Sequence, residues 1–135
     1  MILVLNCGSQ SLKWKLFDDE LKLEKEGKKE VFNSKNYQKI LEKELEKLDK
    51  FRDKIKIVGH RVVHGGEKFR KPIKINAKIL KELEKFNRLA PLHNPFNLLG
   101  IRTARKIFAE VPHIAVFDTE FYINLPEKAY TYPLP

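Results

Sequence analysis

The spacing of apolar positions changes along this chain, and each change marks a new element. Residues 1–5 are continuously apolar, which predicts a buried strand reaching Asn6. After Cys7-Gly8-Ser9-Gln10, the positions Leu12, Trp14 and Leu16 alternate with Ser11, Lys13 and Lys15, so a second strand and a hairpin are expected. Asp18-Asp19 turns the chain, and residues 21–32 offer a third, more polar strand around Gly27. The period then lengthens: Tyr37, Ile40, Leu41, Leu45, Leu48 and Phe51 share one face of a helix of about four turns, with Ser34 or Asn36 as its cap. Ile55, Ile57, Val58, Val62 and Val63 predict another buried strand. A second helix begins near Asn76, turns Ile79, Leu80, Leu83 and Phe86 to the core, and ends at Ala90-Pro91. Asn94-Pro95 starts a third, with asparagine at the cap and proline at the first helical position. Residues 113–117 form a last strand ending at Asp118.

Three strands in succession, followed by strands separated by helices, predict an α/β fold with a mixed sheet covered by helices. The three antiparallel strands and the helix-linked parallel strands after them match a ribonuclease H-like arrangement. No internal repeat, low-complexity tract or long linker divides residues 1–135, which read as one domain. That fold hosts both nucleases and phosphotransferases, so the site must decide between them.

Composition narrows the choice. The chain has 42% hydrophobic residues and a formal charge of +9, and the charge is unevenly placed. Residues 67–85 carry seven basic and three acidic side chains, a possible footprint for an acidic partner. Elsewhere lysine and glutamate interleave, as with Glu46 and Lys50 at i,i+4 spacing, which describes a solvated helix face. The lone Cys7 excludes an internal disulfide and, without a second thiol nearby, points to no zinc site. The apolar run at the start is far too short to span a bilayer and lacks a secretion signal's basic opening, so a soluble cytoplasmic protein is expected.

Four short segments carry candidate chemistry, each at a strand end or helix start, where ligands bind in such sheets. In Asn6-Cys7-Gly8-Ser9-Gln10-Ser11, a tight turn offers amides and hydroxyls to a phosphoryl group, although a plain hairpin turn reads the same way. In His60-Arg61-Val62-Val63-His64-Gly65-Gly66, a guanidinium passes from an apolar strand to a glycine turn. Its planar fork suits a carboxylate or phosphate, and a protein carboxylate would serve equally as its partner. His93 stands one residue before a capped helix whose amide end favours negative charge; packing in the turn is the plainer alternative. Asp118 can position a nucleophile or hold a hydrated magnesium ion, or simply form a turn. His60 and His64 lie four apart, but no carboxylate or cysteine at ligand spacing accompanies them, which argues against a metal pair. Walker A and GxGxxG patterns are both missing.

In order and approximate spacing, Asn6-Cys7-Gly8-Ser9-Gln10-Ser11-Leu12-Lys13, Gly59-His60-Arg61-Val62-Val63-His64-Gly65-Gly66, Leu89-Ala90-Pro91-Leu92-His93-Asn94-Pro95 and Phe117-Asp118-Thr119 resemble the acetate kinase family. The match continues through Asn97-Leu98-Leu99-Gly100-Ile101 and Leu125-Pro126-Glu127-Lys128-Ala129-Tyr130. The resemblance implies the actin-like and sugar-kinase superfamily and the reaction of ATP with acetate to give ADP and acetyl phosphate, with Mg2+ accompanying ATP. It implies that Asn6, Ser9, Ser11 and Lys13 meet phosphate and that Arg61 binds the acyl carboxylate. Val63 and Leu92 would form part of the methyl pocket, and His93 would stand near the transferred phosphoryl group. Asp118 would be the catalytic aspartate, meeting the metal together with Asn6 through water in the family's manner. Complete family members are expected to be homodimers.

The chain departs from the family pattern in three places. It stops at Tyr132-Pro133-Leu134-Pro135, before the Gly-Phe-His-Gly-Thr-Ser-His segment, the second carboxylate-binding arginine and the glycine-rich adenosine site. Gln10 stands where serine is usual, and Tyr122 where histidine is usual. The expectation is therefore an amino-terminal acetate-kinase-like domain without its carboxy-terminal nucleotide-binding domain, inactive alone: a fragment, one subunit of a split enzyme with a separate carboxy-terminal partner, or a relic. The alternative is a non-catalytic binding module of the same fold using residues 68–85 for an acidic partner. A nuclease is disfavoured, because the first strand ends in neutral Asn6 and Asp118 lacks an evident second carboxylate.

Overall fold

In the computed structural model, which describes residues 1–63, 69, 71–87, 91 and 94–117, one six-stranded sheet backs a layer of helices. The strands are β1 (Ile2–Cys7), β2 (Ser11–Phe17), β3 (Leu23–Glu30), β4 (Ile57–Val62), β5 (Ile73–Lys74) and β6 (His113–Phe117). The helices are α1 (Tyr37–Glu46), α2 (Ala77–Glu84) and α3 (Asn94–Ile107). Strand order is β3-β2-β1-β4-β6-β5. β1, β2 and β3 form the antiparallel meander, and β1, β4 and β6 run parallel, so the mixed sheet expected from the element order is present.

Alternation decides which face is covered. Leu3, Leu5 and Cys7 from β1 are buried, as are Leu12, Trp14 and Leu16 from β2, while the intervening side chains face away from the helices. α3 packs on β1 and β4, with α1 beside one flank and α2 beside the other. Two apolar clusters fill the space: Tyr37, Leu41, Leu45 and Leu48 lie against β1 and β2, and Leu80, Leu83, Leu98 and Ile101 lie with Val62, Ala115 and Phe117. Gly27 faces Trp14 across β2 and β3, where any Cβ would overlap the indole ring. The Trp14 Nε1 donates to Glu44 Oε1 at 3.2 Å, which satisfies the one polar atom of that buried ring.

Several local expectations need correction. The first helix ends at Glu46, and Phe51 belongs to a separate 3-10 helix, Asp49–Lys54. Asn36 precedes α1 without a side-chain cap bond, because the 3-10 turn Ser34–Asn36 already leads the backbone in. Asn76 does cap α2, accepting the Ile79 amide at 2.8 Å, but α2 ends at Glu84, well before Pro91. The edge strand β5, antiparallel to β6, is an addition that no periodicity announced. Among the described residues, no helix is long and apolar enough to cross a membrane.

Candidate anion site at the strand ends

The carboxyl ends of β1 and β4 lie side by side because the parallel register pairs Leu5 with His60. One residue further along come Asn6 and Arg61, both on the face away from the helices, and Lys13 stands opposite Asn6 on β2. These three line a cleft of about 340 Å³ together with Gly8, Ser11, Val63 and Asn97. The hairpin turn closes through the Gly8 amide, which donates to the Ser11 carbonyl at 2.9 Å. Ser9 lies within that turn but outside the lining set.

Arg61 is exposed, since alternation on β4 sends Val58, His60 and Val62 inward and Arg61 outward. Although Arg61 stands on a strand with an apolar run, water solvates its guanidinium in part, so burial does not by itself demand a counter-ion. Its position is informative because Arg61 and Lys13 place two cations on one cleft, and no carboxylate appears among the described lining residues. Such a lining suits an anion. The described lining does not by itself form a magnesium site, since its side-chain oxygens, on Asn6, Ser11 and Asn97, are all neutral.

His60 has a different task from the one its neighbourhood suggested. Facing the core, its Nε2 lies 2.9 Å from Nδ1 of His113 on β6, and Nε2 of His113 lies 2.8 Å from the Phe108 carbonyl. A carbonyl only accepts, so His113 carries its proton on Nε2 and offers Nδ1 to the Nε2–H of His60. Burial, reinforced by the charge of any proton on His113, holds the His60 pKa down to about 3, and burial lowers that of His113 as well. Both rings are neutral at pH 7. Among the described residues no group of three or more histidine, cysteine or acidic side chains could hold a metal. Burial also pushes the Cys7 thiol up to about 12, which makes it a packing group.

Asn97 carried no role in the sequence reading. It is buried on α3, its Oδ1 accepts the Val63 amide at 2.9 Å, and its Nδ2 donates to the Cys7 carbonyl at 2.5 Å. The same helix face brings Gly100 against Cys7, so closely that an added Cβ would stand 2.5 Å from Sγ. A polar residue one turn before a glycine, inside an apolar helical stripe, is the signal that could have found it. Leu92, His93, His64 and Asp118 lie outside the described residues. Phe117, just before Asp118, is buried and pairs in register with Val62.

Comparison with known proteins decides the family. The profile of the Acetokinase family matches residues 21–135. The chain belongs to the acetokinase family. The acetate kinase of Desulforamulus reducens is 40% identical, over 100% of this chain and 41% of its own length. The crystal structure of Porphyromonas gingivalis acetate kinase superposes with a TM-score of 0.75 at 32% identity, covering 99% of this chain and 41% of that one. A propionate kinase from Francisella tularensis superposes at 0.72 with 36% identity, again over 99% of this chain and 41% of its own. This acetokinase-family chain therefore spans about two fifths of the length of the relatives it matches, and its sheet is that of their actin-like amino-terminal domain.

Proposed function

We propose that this chain provides the acyl-substrate and phosphate wall of an acetate kinase, which transfers the γ-phosphoryl group of ATP to acetate and yields ADP and acetyl phosphate. The observation that supports this most directly is the convergence of Asn6, Lys13 and Arg61 on one cleft in a chain of the acetokinase family. Moving a phosphoryl group onto a carboxylate brings two anions together, so most of the catalytic work is positioning and charge stabilisation.

The roles follow from residue chemistry. The Arg61 fork holds both oxygens of the acetate carboxylate, and Val63 and Leu92 supply the apolar contact for its methyl group. Asn6, Ser9, Ser11 and Lys13 receive phosphate oxygens through neutral donors and one ammonium. Acetate is already ionised at neutral pH, so no general base is needed to activate it. His93 donates to the phosphoryl group in flight. Asp118 and Asn6 would hold, through water, the magnesium ion that accompanies ATP, which would supply neutralisation of phosphate charge. The acetate preference comes from the relatives' names and from Val63. A propionate kinase among the relatives makes the longer acid the competing substrate.

Residues 1–135 form a single amino-terminal domain in this reading, and the adenosine half of the cleft comes from a carboxy-terminal portion, on the same polypeptide or on a partner. The test mixes this chain with the polypeptide that follows the matched span in the Desulforamulus reducens enzyme and measures acetyl phosphate formation. The chain alone should give no turnover and the pair should. A folded, bound complement that yields no acetyl phosphate would count against the assignment.

A further inference from the structure

The last turns of α3 and the first residue of β6 line a second cavity, of about 610 Å³, at the opposite end of the sheet from the anion cleft. The cleft lies at the carboxyl ends of β1 and β4, whereas His113 opens β6 at the amino end of the parallel set. The two described linings have no residue in common.

Four cations reach this cavity from two elements: Arg102, Arg105 and Lys106 from α3, and Lys74 from the edge strand β5. Arg102 is paired with Glu84 on α2. Lys74, Arg105 and Lys106 have no ion-pair partner among the described residues, and Glu110 is the one acid in the described lining. Cations in the last turn of a helix answer its dipole, which accounts for Arg105 and Lys106 but not for Lys74, which comes from a strand. Arg105 is half-buried and stands close to the cavity floor. Burial lowers the pKa of His113 on that floor, the Phe108 carbonyl opposes this, and the charge of Arg105 lowers it further. His113 cannot serve a ligand itself, because Phe108 and His60 occupy its two ring nitrogens. A half-buried guanidinium beside a neutral imidazole gains from an anion brought to it.

The remaining walls are largely apolar. Ile75 and Leu80 are buried core residues that still border the cavity, and Val111 and Pro112 stand beside them. A cavity of this size, apolar with a few convergent charges, suits a small molecule, whereas a nucleic acid follows a stripe of basic residues along a face. The three unpaired cations set against Glu110 leave an excess of two positive charges. A phosphate monoester, with about 1.5 to 2 negative charges at pH 7, matches that excess better than a monocarboxylate does.

We infer that this cavity binds a small organic phosphate, its phosphate held by Arg105, Lys74 and Lys106 and its apolar body laid against Ile75, Leu80 and Val111. Phenyl phosphate, titrated into isotope-labelled chain and followed by amide NMR shifts, tests this, with inorganic phosphate as the reference for the charged end alone. The Val111 and His113 signals should move along one saturable curve, and phenyl phosphate should bind about fivefold or more tighter than inorganic phosphate, because its ring buries apolar surface. Arg105→Gln should weaken binding about tenfold, the loss expected for a charge-assisted pair, and Lys74→Gln should weaken it severalfold. Arg105 packs near His113, so melting verifies the fold of its variant, while Lys74 is exposed and keeps the test decisive. Shifts confined to Asn6, Lys13 and Arg61, or affinity unchanged in both variants, would overturn the site. Equal affinity for the two phosphates would overturn the organic ligand. Tighter, steeply salt-dependent binding of a DNA duplex through the same residues would overturn the small-molecule occupant.

Discussion

Asn97 holds Val63 in place: its Oδ1 accepts the Val63 amide at 2.9 Å, and its other end donates to the Cys7 carbonyl. One buried side chain on α3 thereby ties the end of β4 to the end of β1, the two strand ends that carry Arg61 and Asn6. A primary amide suits this task because it donates and accepts in fixed opposite directions. Truncation strands an amide and a carbonyl where the helix covers them.

Asn97→Ala is therefore expected to cost about 1–3 kcal/mol, the penalty for leaving buried polar groups unpaired, with an unchanged denaturant slope. Asn97→Asp keeps the acceptor but loses the donor to Cys7 and adds a negative charge to an anion cleft. It should be no more stable than the alanine variant and worse in the assembled enzyme. Urea unfolding of the two variants checks this, and an aspartate variant as stable as the parent would refute the bridging role.

At Gly100 two effects oppose each other. Alanine is the better helix former by about 0.5–1 kcal/mol. Its Cβ, however, would stand 2.5 Å from Cys7 Sγ and 3.0 Å from Cys7 Cβ, and overpacking of that kind costs about 1–3 kcal/mol. Gly100→Ala should be net destabilising, and adding Cys7→Ala should recover part of the loss. A double-mutant cycle without coupling between these sites would show that α3 does not depend on the close approach.

The His60–His113 pair sets a pH window. Both folded-state values lie below the ordinary imidazole value, so the unfolded chain binds more protons once pH falls beneath about 6.5. Stability from keeping these rings neutral is complete above that pH and declines as the solution is acidified toward about pH 3, where burial holds the His60 pKa. Each proton taken up only on unfolding contributes a slope of about 1.4 kcal/mol per pH unit. Substituting His60→Leu should flatten the stability profile between pH 4 and 6.5 relative to the parent. Parallel profiles would mean that the pair does not titrate on unfolding.

Elements with a local signature were legible before the structure. The alternation of Leu12, Trp14 and Leu16 located β2, and Asn76 announced the start of α2. The end of α1 was not legible, because Leu48 and Phe51 are three apart, a spacing that suits an α-helix and a 3-10 helix alike. β5 has two residues, too few to show any period. In the site, charged and strand-end residues such as Arg61 and Asn6 stood out by type. The roles of His60 and Asn97 depend on partners 53 and 34 residues away, and only the folded sheet brings those together. The exposure of Arg61 was likewise set by alternation on β4, which an apolar run on both faces conceals.

Arg61 gives the sharpest kinetic test of the proposed chemistry. If its fork holds the acetate carboxylate, Arg61→Ala removes one or two charge-assisted hydrogen bonds of about 1.5–3 kcal/mol. In the enzyme completed with a carboxy-terminal portion, kcat/KM for acetate should fall about ten- to a hundredfold, while KM for ATP changes little. Arg61→Lys retains the charge but not the planar pair of donors, so it should recover only part of the loss. Because Arg61 is exposed, neither variant should alter the melting temperature by more than a surface substitution does. Equal losses for acetate and ATP would place Arg61 on the phosphates beside Lys13 and Asn6, and unchanged acetate kinetics would remove it from the carboxylate site.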